Sequence, residues 1–183
     1  MTADELIKTY RIVLDCQWNV KTRRNEPTGR LCVCESLRAK SDGVIDEIKA
    51  HKTEIIDILT AEANAKKEAA ADRQRRIDAI EGLKEIVEAR NKAHEWHVYF
   101  IKAMDRGDSV LRSEPKYDFD AAYQKYPKAA AYLKAQSMAN KRNDELSAIG
   151  RKAVDGILYG DWKAALETMN AEQKAFTDAH TRD

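Results

Sequence analysis

Glycine and proline are scarce in this chain, at 7 and 3 of 183 residues. A backbone with so few residues suited to tight turns is committed to long helices, because each hairpin of a many-stranded sheet needs such residues. The first fifth of the chain is the exception. Residues 4–11 read as a short helix with Thr2 as N-cap and Glu5 one position short of the ideal capping-box place. Ile12-Val13-Leu14-Asp15-Cys16-Gln17-Trp18 then alternates, which places Ile12, Leu14, Cys16 and Trp18 on one face of a strand. Asn25, Pro27 and Gly29 form a turn-forming cluster within 21–29, and 30–36 is extended again with Leu31 and Val33 on one side. The expected result is a β-hairpin with a long, basic tip.

Beyond it the period becomes helical. Ser41 or Asp42 caps a helix in which Val44, Ile45, Ile48, Ile55, Ile56 and Leu59 recur at three- and four-residue intervals. That helix can cover the apolar face of the hairpin, since two strands alone are barely stable in water. Residues 61–71 are alanine-rich and charged and read as an exposed helical connector. A long helix over 73–104 carries Ile80, Leu83, Val87, Ile101 and Met104 on a heptad-like seam, widened by Ile86, Ala93, Trp96 and Phe100. Asp118 starts a helix that meets Pro127, another is expected over 127–158, and Gly160-Asp161 is a stop-then-cap pair before the last. The fold class is mainly α: a small α, β-hairpin, α module over 1–62, then an antiparallel bundle of long helices over 63–183 that a second copy of the chain can complete.

Charge is abundant and balanced, with 32 Lys and Arg against 31 Asp and Glu. That balance is unlike a dedicated nucleic-acid domain, which is strongly basic overall. No apolar run approaches a bilayer span, and Thr2-Ala3-Asp4-Glu5 lacks the basic and apolar regions of a signal peptide, so a cytoplasmic location is expected. Cys16, Cys32 and Cys34 lie on predicted strands, where buried free thiols are favoured over a zinc site completed by His51, because no Cys-x2-Cys spacing occurs.

Positive charge is local. Lys21, Arg23, Arg24, Arg30, Arg38 and Lys40 crowd the hairpin region near Trp18, opposed only by Glu26 and Glu35. Arginines there can pair bidentately with phosphates or carboxylates, and an exposed Trp18 can stack on a base. Further on, Arg90, His94 and His97 fall in line with Val87 and Ile101. They are expected to form a buried polar layer inside the bundle, since His94-Glu95-Trp96-His97 departs from the zinc-binding His-Glu-x-x-His pattern. Tyr117, Phe119, Tyr123, Tyr126, Tyr132, Tyr159 and Trp162 read mostly as helix packing, with a minority at an interface. The sequence holds no Gly-rich phosphate loop, no Gly-x-Ser-x-Gly elbow and no nucleophile beside an evident base, so no catalytic residue, metal or cofactor is expected.

Glu5-Leu6-Ile7, the strand ending near Trp18, Gly29-Arg30-Leu31-Cys32-Val33 and the stretch Ile48-Lys49-Ala50-His51-Lys52-Thr53-Glu54-Ile55-Ile56-Asp57-Ile58-Leu59 together resemble the TubC-type N-terminal docking domain. The resemblance covers about the first third of the chain. It implies an often dimeric helix, hairpin, helix module that grips a short partner segment, although no synthetase domain follows here. Tyr126-Pro127-Lys128-Ala129-Ala130-Ala131-Tyr132-Leu133-Lys134-Ala135 and Gly156-Ile157-Leu158-Tyr159-Gly160-Asp161-Trp162-Lys163-Ala164-Ala165 are similar to the helical tails of small phage and mobile-element proteins. In size and layout the whole chain resembles type II-A anti-CRISPR proteins. That likeness implies a binding protein that blocks target-DNA engagement or cleavage by a type II CRISPR RNA-guided nuclease through protein contacts, with direct DNA contact left open. The other functional expectations are a stand-alone docking module for a short acidic peptide and a sequence-tolerant DNA-binding protein.

Overall fold

The computed structural model describes residues 1–19, 24–34, 36–110 and 112–180; of 17–19, 24–29 and 37 it describes the backbone alone. The described chain is mainly helical with one small antiparallel hairpin, and divides into two compact units, 1–71 and 72–183. The division falls nine residues after the expected 62/63, and both positions lie within helix α4 (Lys52–Asp78).

The first unit begins with α1 (Ala3–Tyr10). Thr2 accepts a hydrogen bond from the Glu5 N–H and the Glu5 carboxylate accepts one from the Thr2 N–H, so Glu5 stands at the correct capping-box position after all. Arg11, at φ 49°, turns the chain directly into β1 (Ile12–Asn19). β2 (Arg24–Val33) pairs with it antiparallel from Ile12–Val33 to Asn19–Arg24, so strand replaces most of the loop expected over 21–29. An irregularity between Leu14 and Cys16 takes up the extra residues of β2, and Pro27 is tolerated opposite Cys16 because both strands are edges. Two short helices follow, α2 (Ser36–Ser41) and α3 (Ile45–Ala50). Val44 stands at the N-cap of α3 without a side-chain cap bond, in place of the Ser41 or Asp42 cap expected from the sequence.

Leu6, Tyr10, Ile12, Ala39, Ile48 and Ile55 are buried together as the core of this unit, with Leu31 and Val33 packed against it. The helices therefore cover the base of the hairpin. Within the core, the Tyr10 hydroxyl donates to Asp42 at 2.9 Å. Burial, then that hydrogen bond, raises the phenol's pKa above its ordinary value.

The second unit holds the end of α4, then α5 (Leu83–Asp105), α6 (Phe119–Lys125), α7 (Pro127–Ala139), α8 (Asp144–Tyr159) and α9 (Trp162–His180). Both very long helices expected from the sequence are broken. The one over 73–104 is interrupted before α5 at Gly82, whose φ of 73° suits glycine and whose missing Cβ leaves room for the Tyr126 ring. The one over 127–158 is interrupted between α7 and α8, where the Asn143 side chain caps α8 by accepting from the Leu146 N–H at 3.0 Å. Asp118 caps α6 and Asp161 accepts from the Lys163 N–H at the start of α9, as the sequence indicates.

Ile86, Ala129, Ala135, Val154, Ile157 and Met169 form the most deeply buried part of this core. Small residues let α7 and α8 approach closely: a Cβ on Gly150 would collide with backbone of Met138 and Ala139. Beside that crossing, buried Ser147 donates to the Ala139 carbonyl and accepts from Arg151, both at 2.7 Å. α9 returns antiparallel along α8, shown by the Lys152–Glu172 ion pair at 2.6 Å and the closeness of Gly156 to Ala165. Among the described residues, no helix is long and apolar enough to cross a membrane.

Two outcomes follow from this packing. Gly150→Ala should destabilise the helical unit by about 1–3 kcal/mol, read as a lower urea midpoint, because the added methyl meets backbone that cannot rotate away. Burial also raises the pKa of Tyr132, and burial plus a hydrogen bond to Glu85 raises that of Tyr117. Above the ordinary value of 10.0 the unfolded chain loses phenol protons that the folded chain keeps, so stability is intact below pH 10 and falls as pH rises through the raised values. Urea titrations between pH 8 and 11 should show this fall, and Tyr132→Phe should reduce it.

Candidate functional site

The described hairpin cations are spread along the module and do not form one patch. Arg38 and Lys40 are exposed on α2, beside the base of the hairpin, where Arg38 lies 3.7 Å from Asp42 and 5.8 Å from the Tyr10 ring centroid. Asn19 and Arg24 close the far end of the described ladder, seven residues beyond the Ile12–Val33 pair. At the usual rise per residue that is about 23 Å. Trp18 and Arg24 are placed there by their backbones, opposite Asn25 and Asn19 respectively. Arg30 lies between, exposed, near the ladder irregularity. Lys21 and Arg23 lie outside the described residues. The structure therefore separates a basal pair, Arg38 and Lys40, from Arg24 at the far end of the described ladder.

Cys16, Cys32 and Cys34 are free and exposed, correcting the expectation of buried thiols. The physical reason is that the helices cover only one face of the strand bases. Ile12, Leu31 and Val33 meet them, Cys32 points the other way with Val13, and Cys16 lies beyond the ladder irregularity. Among the described residues, no group of three His, Cys, Asp or Glu side chains could hold a metal ion. All three thiols should react with Ellman's reagent in the native protein at rates near those in urea; slow labelling of any one would place it in a buried setting.

Arg90, His94 and His97 are exposed in the chain, and the buried polar layer expected of them does not form. Val87 is the last α5 residue packed against the large core, and further along the helix Ala103 alone is buried. Its other side is partly covered by the segment after it. The Trp96 indole N–H donates to the Arg112 carbonyl at 3.1 Å, the Arg112 guanidinium lies 4.9 Å from the Tyr99 ring centroid, and Trp96 stacks on Phe100. Ile101 and Met104, on the expected seam, are 44% and 59% exposed.

Sequence reasoning missed a second feature, on the helical unit. Two adjoining grooves of about 440 and 470 Å³ share Tyr123, Ala130 and Lys134. Arg90, Lys134 and Lys141 rim the first over Leu133 and Met138. Lys163 and Glu167 rim the second over Trp162 and Leu166. The available signal was α7 itself, Pro127–Ala139, which contains no carboxylate. Ala130, Lys134 and Ser137 recur along it at four- and three-residue spacing, and Lys141 follows two residues past its end.

No family model matches the chain, and no curated protein or solved structure matches it significantly.

Proposed function

We propose that the protein is a non-catalytic binding protein that inhibits a type II CRISPR RNA-guided nuclease by obstructing target-DNA engagement or cleavage, working through the distal part of the β1–β2 ribbon. The observation that supports this reading most is the ribbon's shape. Its described ladder reaches from the helix-covered base at Ile12–Val33 to the basic Arg24, and both strands have open outer edges. A two-stranded ribbon is narrow enough to enter a duplex major groove, and cations along it can replace counterions on phosphates. The same ribbon can occupy a basic, DNA-receiving surface only through its own few carboxylates, so DNA contact is the better match to its charge.

Purified protein in molar excess should suppress DNA cleavage by a guide-loaded type II nuclease. Arg23→Glu combined with Arg24→Glu should weaken that suppression by roughly tenfold or more, with a shallower salt dependence. Cleavage unaffected by the wild-type protein contradicts the proposal.

A second reading is favoured by the open strand edges. An extended acidic peptide could add to β1 or β2 as a third strand, with main-chain hydrogen bonds supplying affinity and Arg30 supplying charge selection. Recovery of such a peptide without nuclease inhibition would select this reading.

A further inference from the structure

We infer that the paired grooves on the helical unit form a docking site for an acidic amphipathic helix of a partner protein, distinct from the hairpin surface. Charge identifies the occupant's sign. Arg90, Lys134, Lys141 and Lys163 stand around the grooves against the single carboxylate of Glu167. Among the described residues none of these four cations has a carboxylate partner, and Lys134 donates instead to the neutral Asn170 side chain at 2.8 Å. Some cations elsewhere on the same unit are paired, as in Arg73–Asp155, Arg76–Asp72 and Lys152–Glu172. A patch of four cations without carboxylate partners, Lys163 lying instead 5.7 Å from the Trp162 ring centroid, attracts an acidic surface and repels a basic one.

The floor identifies the occupant's form. Tyr123, Leu133, Trp162 and Leu166 are partly buried there, leaving apolar area at the bottom of each groove while Lys134 stands where the two meet. The first groove follows α7 from Ala130 to Met138 and on to Lys141, and the second follows it from Pro127 to Lys134. Their midpoints are separated by about four to five residues of α7, or roughly 5–8 Å. Apolar anchors at i and i+4 of an incoming helix span that distance, with acidic residues on either side of the anchors meeting the lysines.

The experiment selects from a displayed library of 16-residue amphipathic helices, with Leu, Phe or Trp at the anchors and Glu or Lys allowed equally at the polar positions. The full-length protein is the bait. Selected clones should be enriched in Glu, and a synthetic copy of the best should shift the amide resonances of Ala130, Leu133, Lys134 and Leu166. Lys134→Glu combined with Lys141→Glu changes only exposed positions, and its helicity is checked by circular dichroism. It should weaken binding by about tenfold or more. A separate Lys163→Glu variant guards against a folding defect in the first and should weaken the same peptide. Overturning results are an absence of clones, clones without acidic bias, shifts mapping away from the grooves, or affinity unchanged in both variants. Nuclease inhibition retained by the groove variants keeps this site separate from the hairpin, so that either proposal can fail alone.

Discussion

The structure depends on where apolar side chains stop being buried along α4. Ile55 is its one fully buried residue, Ile58 and Leu59 pack against the core around Leu6 and Ile48, and Ile77 packs against the core around Ile86 and Ile157. Between Leu59 and Ile77 the helix presents mostly alanine and charge to solvent. A stretch with no apolar stripe has no packing face to bury, so it cannot join the two clusters into one core. Each unit must then satisfy its own burial: the smaller by folding three short helical pieces against a hairpin base, the larger by bringing α7, α8 and α9 together over α5.

That division explains how the cations differ. At the hairpin, Arg38 is drawn to the base by Asp42 and the Tyr10 ring, while Arg24 stands at the far end of the described ladder. On the helical unit, Arg90, Lys134, Lys141 and Lys163 flank grooves floored by partly buried aromatics and leucines. The first arrangement suits a charged partner approached edge-on. The second suits one that inserts apolar side chains and then pairs charge at the rim.

The sequence disclosed element types better than element ends. The alternation over 12–18 marked β1 because period two survives whatever packs on it, and Asp118 and Asp161 marked helix starts because capping is a local bond. The breaks at Gly82 and Asn140–Asn143 were harder to read. A single glycine is tolerated inside helices, and Asn-rich polar runs also occur on solvated helix faces. The seam through Arg90, His94, His97, Ile101 and Met104 has sound periodicity, yet periodicity states which residues share a face and not whether a neighbour reaches that face. For the thiols, alternation correctly paired positions along the strand, but exposure was set by which face the helices cover. Of the candidate surfaces, the hairpin's charge was legible as composition, while the grooves were not, because they arise from α5, α6, α7 and α9 meeting in space.

Native-state hydrogen exchange along α4 tests the two-core account most directly. It predicts strong amide protection near Ile55 and again toward Ile77, tracking the cores that hold Leu6 and Ile157 respectively, with markedly faster exchange through 63–71. Uniform protection along the whole of α4, rising and falling with a single global stability, would contradict it.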